Sequence, residues 1–208
     1  MRCESCVIPL VFRFTGLAGA VLLVVCMVFG SMARVHAGEK QKREGGHTMT
    51  EQTQSNMGKR FPEVSAESLA KTRESIPGSA RGKVTLVVVA FLRETQAQLD
   101  SWLSPFVQQF GDREGFTFYE VPMISSGYKF MRFIIDNGMR AGLPEKKHKH
   151  VVTMYGDVQR YTDELGLDPR SGYAFLLDKE GIIRWEGQGF ATAEALKELF
   201  ARAEKLAE

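Results

Sequence analysis

Residues 84–106 read VTLVVVAFLRETQAQLDSWLSPF. A run rich in β-branched residues ends at Phe91. A short polar stretch follows, and apolar residues then recur at helical spacing. Leu99, Trp102, Leu103, Phe106, Val107 and Phe110 fall on one face of a helix. Pro105 lies within it and predicts a kink. The strand is apolar on both faces, which suits the centre of a sheet covered on both sides. Many thiol enzymes place a cysteine at such a strand-to-helix turn. Here the turn reads Arg93-Glu94-Thr95-Gln96 and holds none. Thr95-Gln96-Ala97-Gln98 instead fits a capping box, with Thr95 at the cap and Gln98 at the third helical position.

The rest of the chain continues the alternation. Residues 117–121 and 151–155 predict strands, and residues 126–139 a helix between them. Asp157 caps a helix carrying Val158, Tyr161 and Leu165. Residues 173–177 form a strand, Asp178-Lys179-Glu180-Gly181 a turn, and residues 182–186 the returning antiparallel strand. Thr192 caps a last helix with Leu196, Leu199, Phe200 and Ala203 on its apolar face. The expected fold class is α/β, a mixed sheet with helices on both faces and a C-terminal β-hairpin plus helix.

The first 37 residues read as an export signal or an N-terminal anchor. Arg2 and Arg13 precede an apolar run over residues 17–29, and Val35-His36-Ala37 resembles a small-residue cleavage site. The run is short of the ~20 residues a spanning helix needs. Residues 38–58 carry no aromatic or branched aliphatic side chain and read as a flexible linker. Residues 59–208 form the domain. The expected location is the periplasm, or the inner membrane if the leader is retained in a bacterium. A start at Met49 or Met57 would make the protein cytoplasmic.

The whole chain has 27 Lys+Arg and 25 Asp+Glu. Residues 1–37 hold three of those bases and one acid, which leaves 24 of each. A neutral domain gives no electrostatic footprint for nucleic acid. The three cysteines, Cys3, Cys6 and Cys26, all lie in the leader. Cys3 and Cys6 have C-x-x-C spacing but precede no strand–helix turn that would stabilise a thiolate. Past Cys26 the chain has no thiol for a disulfide or a nucleophile.

The element order, with Phe61-Pro62, Gly82-Lys83 and the hairpin Phe175-Leu176-Leu177-Asp178, resembles the thioredoxin-like fold in its peroxiredoxin-like elaboration. The likeness spans residues 61–206. Residues 172–189, GYAFLLDKEGIIRWEGQG, resemble a narrower group. Gly172, Tyr173, Phe175, Asp178, Gly181, Ile183, Arg184, Trp185 and Gly189 match the signature of the mitochondrial assembly factor family for the ATP synthase membrane sector. Trp102, Pro105 and Phe106 agree with it more loosely. The resemblance implies a non-redox thioredoxin-like chaperone whose client is a membrane protein. The mitochondrial factor acts on the matrix side, equivalent to a bacterial cytoplasm, whereas this chain carries an apparent export leader. The cis-proline place of thioredoxin-like sites aligns with Gly172, and Pro169 falls three residues early. Both halves of the redox site are then missing.

Two other activities remain open. One is a thiol-dependent peroxidase or reductase working through a borrowed thiol. The other is a metal carrier using His148 and His150, which would share a side on a strand. Three lysines crowd those histidines, and no cysteine or nearby acid pair completes a shell. No cofactor or metal is expected.

Partner binding is expected of Tyr128, Phe130, Phe133, Arg184 and Trp185. Arg184 and Glu186 should share the outer face of an edge strand, with Ile183 and Trp185 on the inner one. Residues 128–139 hold more large apolar side chains than one core-facing stripe needs. Met123, Met131 and Met139 would suit an adaptable surface. Phe130 and Phe133 should be exposed, beside Lys129 and Arg132, with Met131 and Ile134 as the core pair. The leader could associate the protein with a membrane.

Overall fold

The computed structural model describes residues 55–208. The leader and the expected linker up to residue 54 lie outside the described residues. The four linker residues inside them belong to the domain. Asn56 is 4% exposed and donates to Glu186 and to the Leu165 carbonyl. The Gly58 N–H donates to the Ile183 carbonyl at 2.8 Å.

The central strand is the one read first. Among the described residues seven strands fall in chain order: β1 Val64–Glu67, β2 Arg73–Ile76, β3 Val84–Ala90, β4 Phe116–Ser125, β5 Met154–Gly156, β6 Tyr173–Leu177 and β7 Ile183–Gln188. β3 is buried along its whole length. It pairs parallel with β4 and antiparallel with β6, in a sheet ordered β5-β4-β3-β6-β7. Alternation along β3 divides the interior. Leu86 and Val88 meet Leu99, Trp102, Phe106 and Leu199 from α1 (Gln96–Phe110) and α4 (Ala193–Ala207). Val87 and Val89 face Phe61, Ile76, Tyr161 and Leu165, from α3 (Val158–Leu165) and the segment around β1–β2.

α1 runs through Pro105 and buries Leu99, Trp102, Leu103, Phe106 and Phe110. Asp157 and Thr192 cap their helices by accepting the Arg160 and Ala195 N–H groups. The antiparallel hairpin β1–β2 is absent from the sequence reading; its strands are four residues each. Residues 126–139 are not one helix. Ser126–Met131 winds as a 3-10 helix, and α2 covers Arg132–Gly142.

β7 contains a bulge. Leu176 pairs with Trp185 and Leu177 with Ile183, so Arg184 has no partner. The extra residue flips the alternation. Ile183 packs with the α3 side and Trp185 with the α1 side, so they do not share a face as expected.

Candidate functional site

Three places were open to function: the first turn of α1, the signature hairpin, and the segment leading into α2.

At the α1 turn the expected capping box does not form. Thr95 is 3% exposed, and its hydroxyl donates back to the Leu92 carbonyl at 2.8 Å. Gln98 turns away from the helix end and accepts the Gly172 N–H at 2.7 Å. A Cβ on Gly172 would stand 2.5 Å from Leu99 and 3.3 Å from Gln98. The loop and the helix therefore close on each other through a bond that only a glycine permits. Beneath them Gln96 donates to Glu120 at 3.1 Å. Burial pushes the Glu120 carboxyl above its usual range, against the Gln96 hydrogen bond, which lowers it.

The signature residues build the hairpin. Asp178 Oδ1 accepts the Glu180 and Ile182 N–H groups, and Oδ2 accepts Arg184 Nε at 2.7 Å. Burial alone would raise the Asp178 carboxyl. The Ile182, Arg184 and Glu180 hydrogen bonds outweigh it and hold it below its usual value. Gly181 has φ +84° and lies against Pro77, where a Cβ would come within 2.6 Å. Trp102 meets Trp185 edge to face at 5.3 Å, and its indole N–H donates to the Gly189 carbonyl at 2.7 Å. Phe175 and Ile183 are core, and Tyr173 is buried with its hydroxyl accepting the Asp168 N–H.

Of the expected partner-binding residues on the hairpin, one is internal and one is exposed. Trp185 is 6% exposed and belongs to the core, while Arg184 stays exposed with its Nε paired to Asp178. Both lie on β7, at the opposite edge of the sheet from β5.

α2 is built inside out. Its single buried residue is Asp136. Arg132, Asp136 and Arg140, spaced i, i+4, i+8, anchor it to the domain. Arg132 donates to Glu67 at 2.7 Å and to Asp136 at 3.3 Å. Tyr155 donates its hydroxyl to Asp136 at 2.8 Å. Arg140 donates to the Leu69 carbonyl at 2.7 Å. Ile135 and Met139 are half-buried beside this stripe, whereas Phe133 and Ile134 of α2 face outward with Tyr128 and Phe130 of the preceding turn. Phe130 is 84% exposed, Phe133 77%, Ile134 66% and Tyr128 57%. Phe130 and Phe133 are exposed as expected. Ile134 is not the core residue expected, and Met131 is half-buried. The 132/136/140 spacing was visible in the sequence and is the signal that would have found this orientation.

The histidines do not lie on a strand. They end a 3-10 turn over Glu145–His150. His148 Nε2 bonds the Leu143 carbonyl. His150 Nδ1 bonds the Phe118 carbonyl and its ring stacks on Phe118 at 4.0 Å. Among the described residues no group of three or more His, Cys, Asp and Glu is placed to hold a metal.

The family model described as ATP10 protein matches residues 50–206. No curated protein matches the chain. Among solved structures, the thioredoxin domain of a thiol-disulfide oxidoreductase from Bacteroides vulgatus aligns with a TM-score of 0.53 at 19% identity, covering 74% of this chain and 100% of that one. BsSco, a member of the Sco family of cytochrome c oxidase assembly proteins, aligns with a TM-score of 0.52 at 10% identity, covering 76% and 98%. Similarities this distant establish the thioredoxin-like fold and nothing about chemistry.

Proposed function

The chain belongs to the ATP10 protein family, and from that membership we propose that it is an assembly factor acting by contact on a membrane-protein client. The observation that carries the reading is the inverted α2. Phe130, Phe133 and Ile134, in one short segment, are the most exposed large apolar side chains among the described residues. Exposed aromatic residues in a continuous patch are what a transient protein contact uses. A membrane protein awaiting assembly presents apolar surface that such a patch covers. The client in this reading is a membrane subunit of ATP synthase.

The reading includes no thiol catalysis. The chain has no cysteine past Cys26, and Thr95, Gln98 and Gly172 tie off the α1 turn with hydrogen bonds and close packing. It also places the domain on the exported side of the membrane, after the leader of residues 1–37.

Site-directed photo-crosslinking tests the contact. A photoreactive residue at position 133 should capture a membrane protein in intact cells. The same residue at position 198, on the solvent side of α4, should not. Equal capture from both positions, or none from 133, would remove the assignment.

A further inference from the structure

A cavity of about 430 Å³ opens beside the apolar segment. Its volume falls within the ~300–1,000 Å³ typical of small-ligand sites. Arg73 from β2, Lys129 from the 3-10 turn, Arg132 from α2 and Arg160 from α3 line it, against Glu67 and Asp157. The acids are already engaged. Glu67 accepts from Arg132, and Asp157 caps α3. The Arg73 and Lys129 side chains make no hydrogen bond or ion pair among the described residues, and both reach solvent. Thr153 also lines the cavity. It is 3% exposed, and its hydroxyl is buried with no hydrogen-bond partner among the described residues.

The uncommitted cations Arg73 and Lys129 form a donor set for an anion with several acceptor oxygens. Lys129 is flanked in sequence by Tyr128 and Phe130, both exposed. One short turn therefore presents a cation to the cavity between two aromatic residues. That combination matches an amphiphile with an anionic head. We propose that this cavity binds the phosphate of an anionic phospholipid headgroup and so docks the 3-10 turn and α2 onto the lipid surface. The proposal rests on the reading of this segment as the contact surface for a membrane-protein client, which brings it beside the bilayer. It adds a lipid site distinct from the client contact at Phe133.

Flotation of the full chain with vesicles tests it. The leader, with three bases and one acid, itself favours anionic vesicles, but it is the same in every variant. The quantity of interest is therefore how each variant changes the gain in binding when phosphatidylglycerol is added to phosphatidylcholine. The double variant Arg73→Gln, Lys129→Gln should weaken that gain by about thirtyfold, with an unchanged melting temperature. Lys146→Gln, Lys149→Gln removes the same charge outside the cavity and should retain most of the gain. Inorganic phosphate should compete and should raise the melting temperature of the unmodified chain in detergent.

Equal losses from the two lysine-containing variants would overturn the site in favour of diffuse charge. Stabilisation by phosphate without any gain from phosphatidylglycerol would overturn the lipid assignment. An acidic peptide that binds through Arg73 and Lys129 where phosphatidylglycerol does not would do the same. Crosslinking from position 133 reads the client contact separately, so the lipid site can fail while that contact stands.

Discussion

Gln98 accepts the backbone N–H of Gly172 at 2.7 Å, across 74 residues of sequence. The bond closes the α1 turn against the loop before β6, the place where thioredoxin-like enzymes keep their chemistry. Gly172→Ala should destabilise the domain by roughly 1–3 kcal/mol, because its Cβ would overlap Leu99. Gln98→Ala should cost ~1–3 kcal/mol by stranding the Gly172 N–H. Urea melts of both variants check this.

Thr95 makes a prediction opposite to that of a helix cap. A cap would tolerate Thr95→Asp. Here the hydroxyl is a buried donor to the Leu92 carbonyl, and a carboxylate cannot donate. Thr95→Asp should therefore be more destabilising than Thr95→Ser, with the loss relieved in acid. Denaturant melts across pH would show it.

Glu120 is the titrating group to follow. Burial raises its folded carboxyl above the unfolded value, so its contribution to stability is present at low pH and lost as pH rises through the folded value. At neutral pH the buried charge is a cost. Glu120→Gln should then be more stable than the unmodified protein near pH 7. The difference should close below the usual carboxylate range. Melting curves from pH 4 to 8 decide it, and a stability difference independent of pH would contradict the assignment.

α2 depends on its polar stripe. Arg132→Ala leaves the buried Asp136 with Tyr155 as its remaining side-chain partner, and should cost about 1–3 kcal/mol. The loss should be local. Hydrogen exchange should accelerate over Arg132–Gly142 while β3 stays protected.

The sequence was most legible where one period dominated. β3 and α1 follow from a strand apolar on both faces and from helical spacing after it, and the caps at Asp157 and Thr192 follow from local side-chain chemistry. What was illegible depends on distant partners or on a broken period. Gln98 read as a capping residue because Gly172 is far along the chain. Trp185 is packed inward as its expected face implies, but on the opposite side of the sheet from Ile183, because nothing local announces the bulge at Arg184. β1 and β2 are too short to show a period, and the second carries Arg73, Glu74 and Ser75. In α2 the abundance of apolar residues drew the reading, while three charged residues four apart set the orientation.

The account stands most directly on Phe130 and Phe133. At 84% and 77% exposure their replacement removes almost no buried surface. The measurement is paired: a urea melt of Phe130→Ser, Phe133→Ser, and the amount of assembled ATP synthase membrane sector in cells carrying that variant as their only copy. The account predicts a melt within ~1 kcal/mol of the unmodified protein together with a large loss of assembled complex. A stably folded variant that supports full assembly would contradict it.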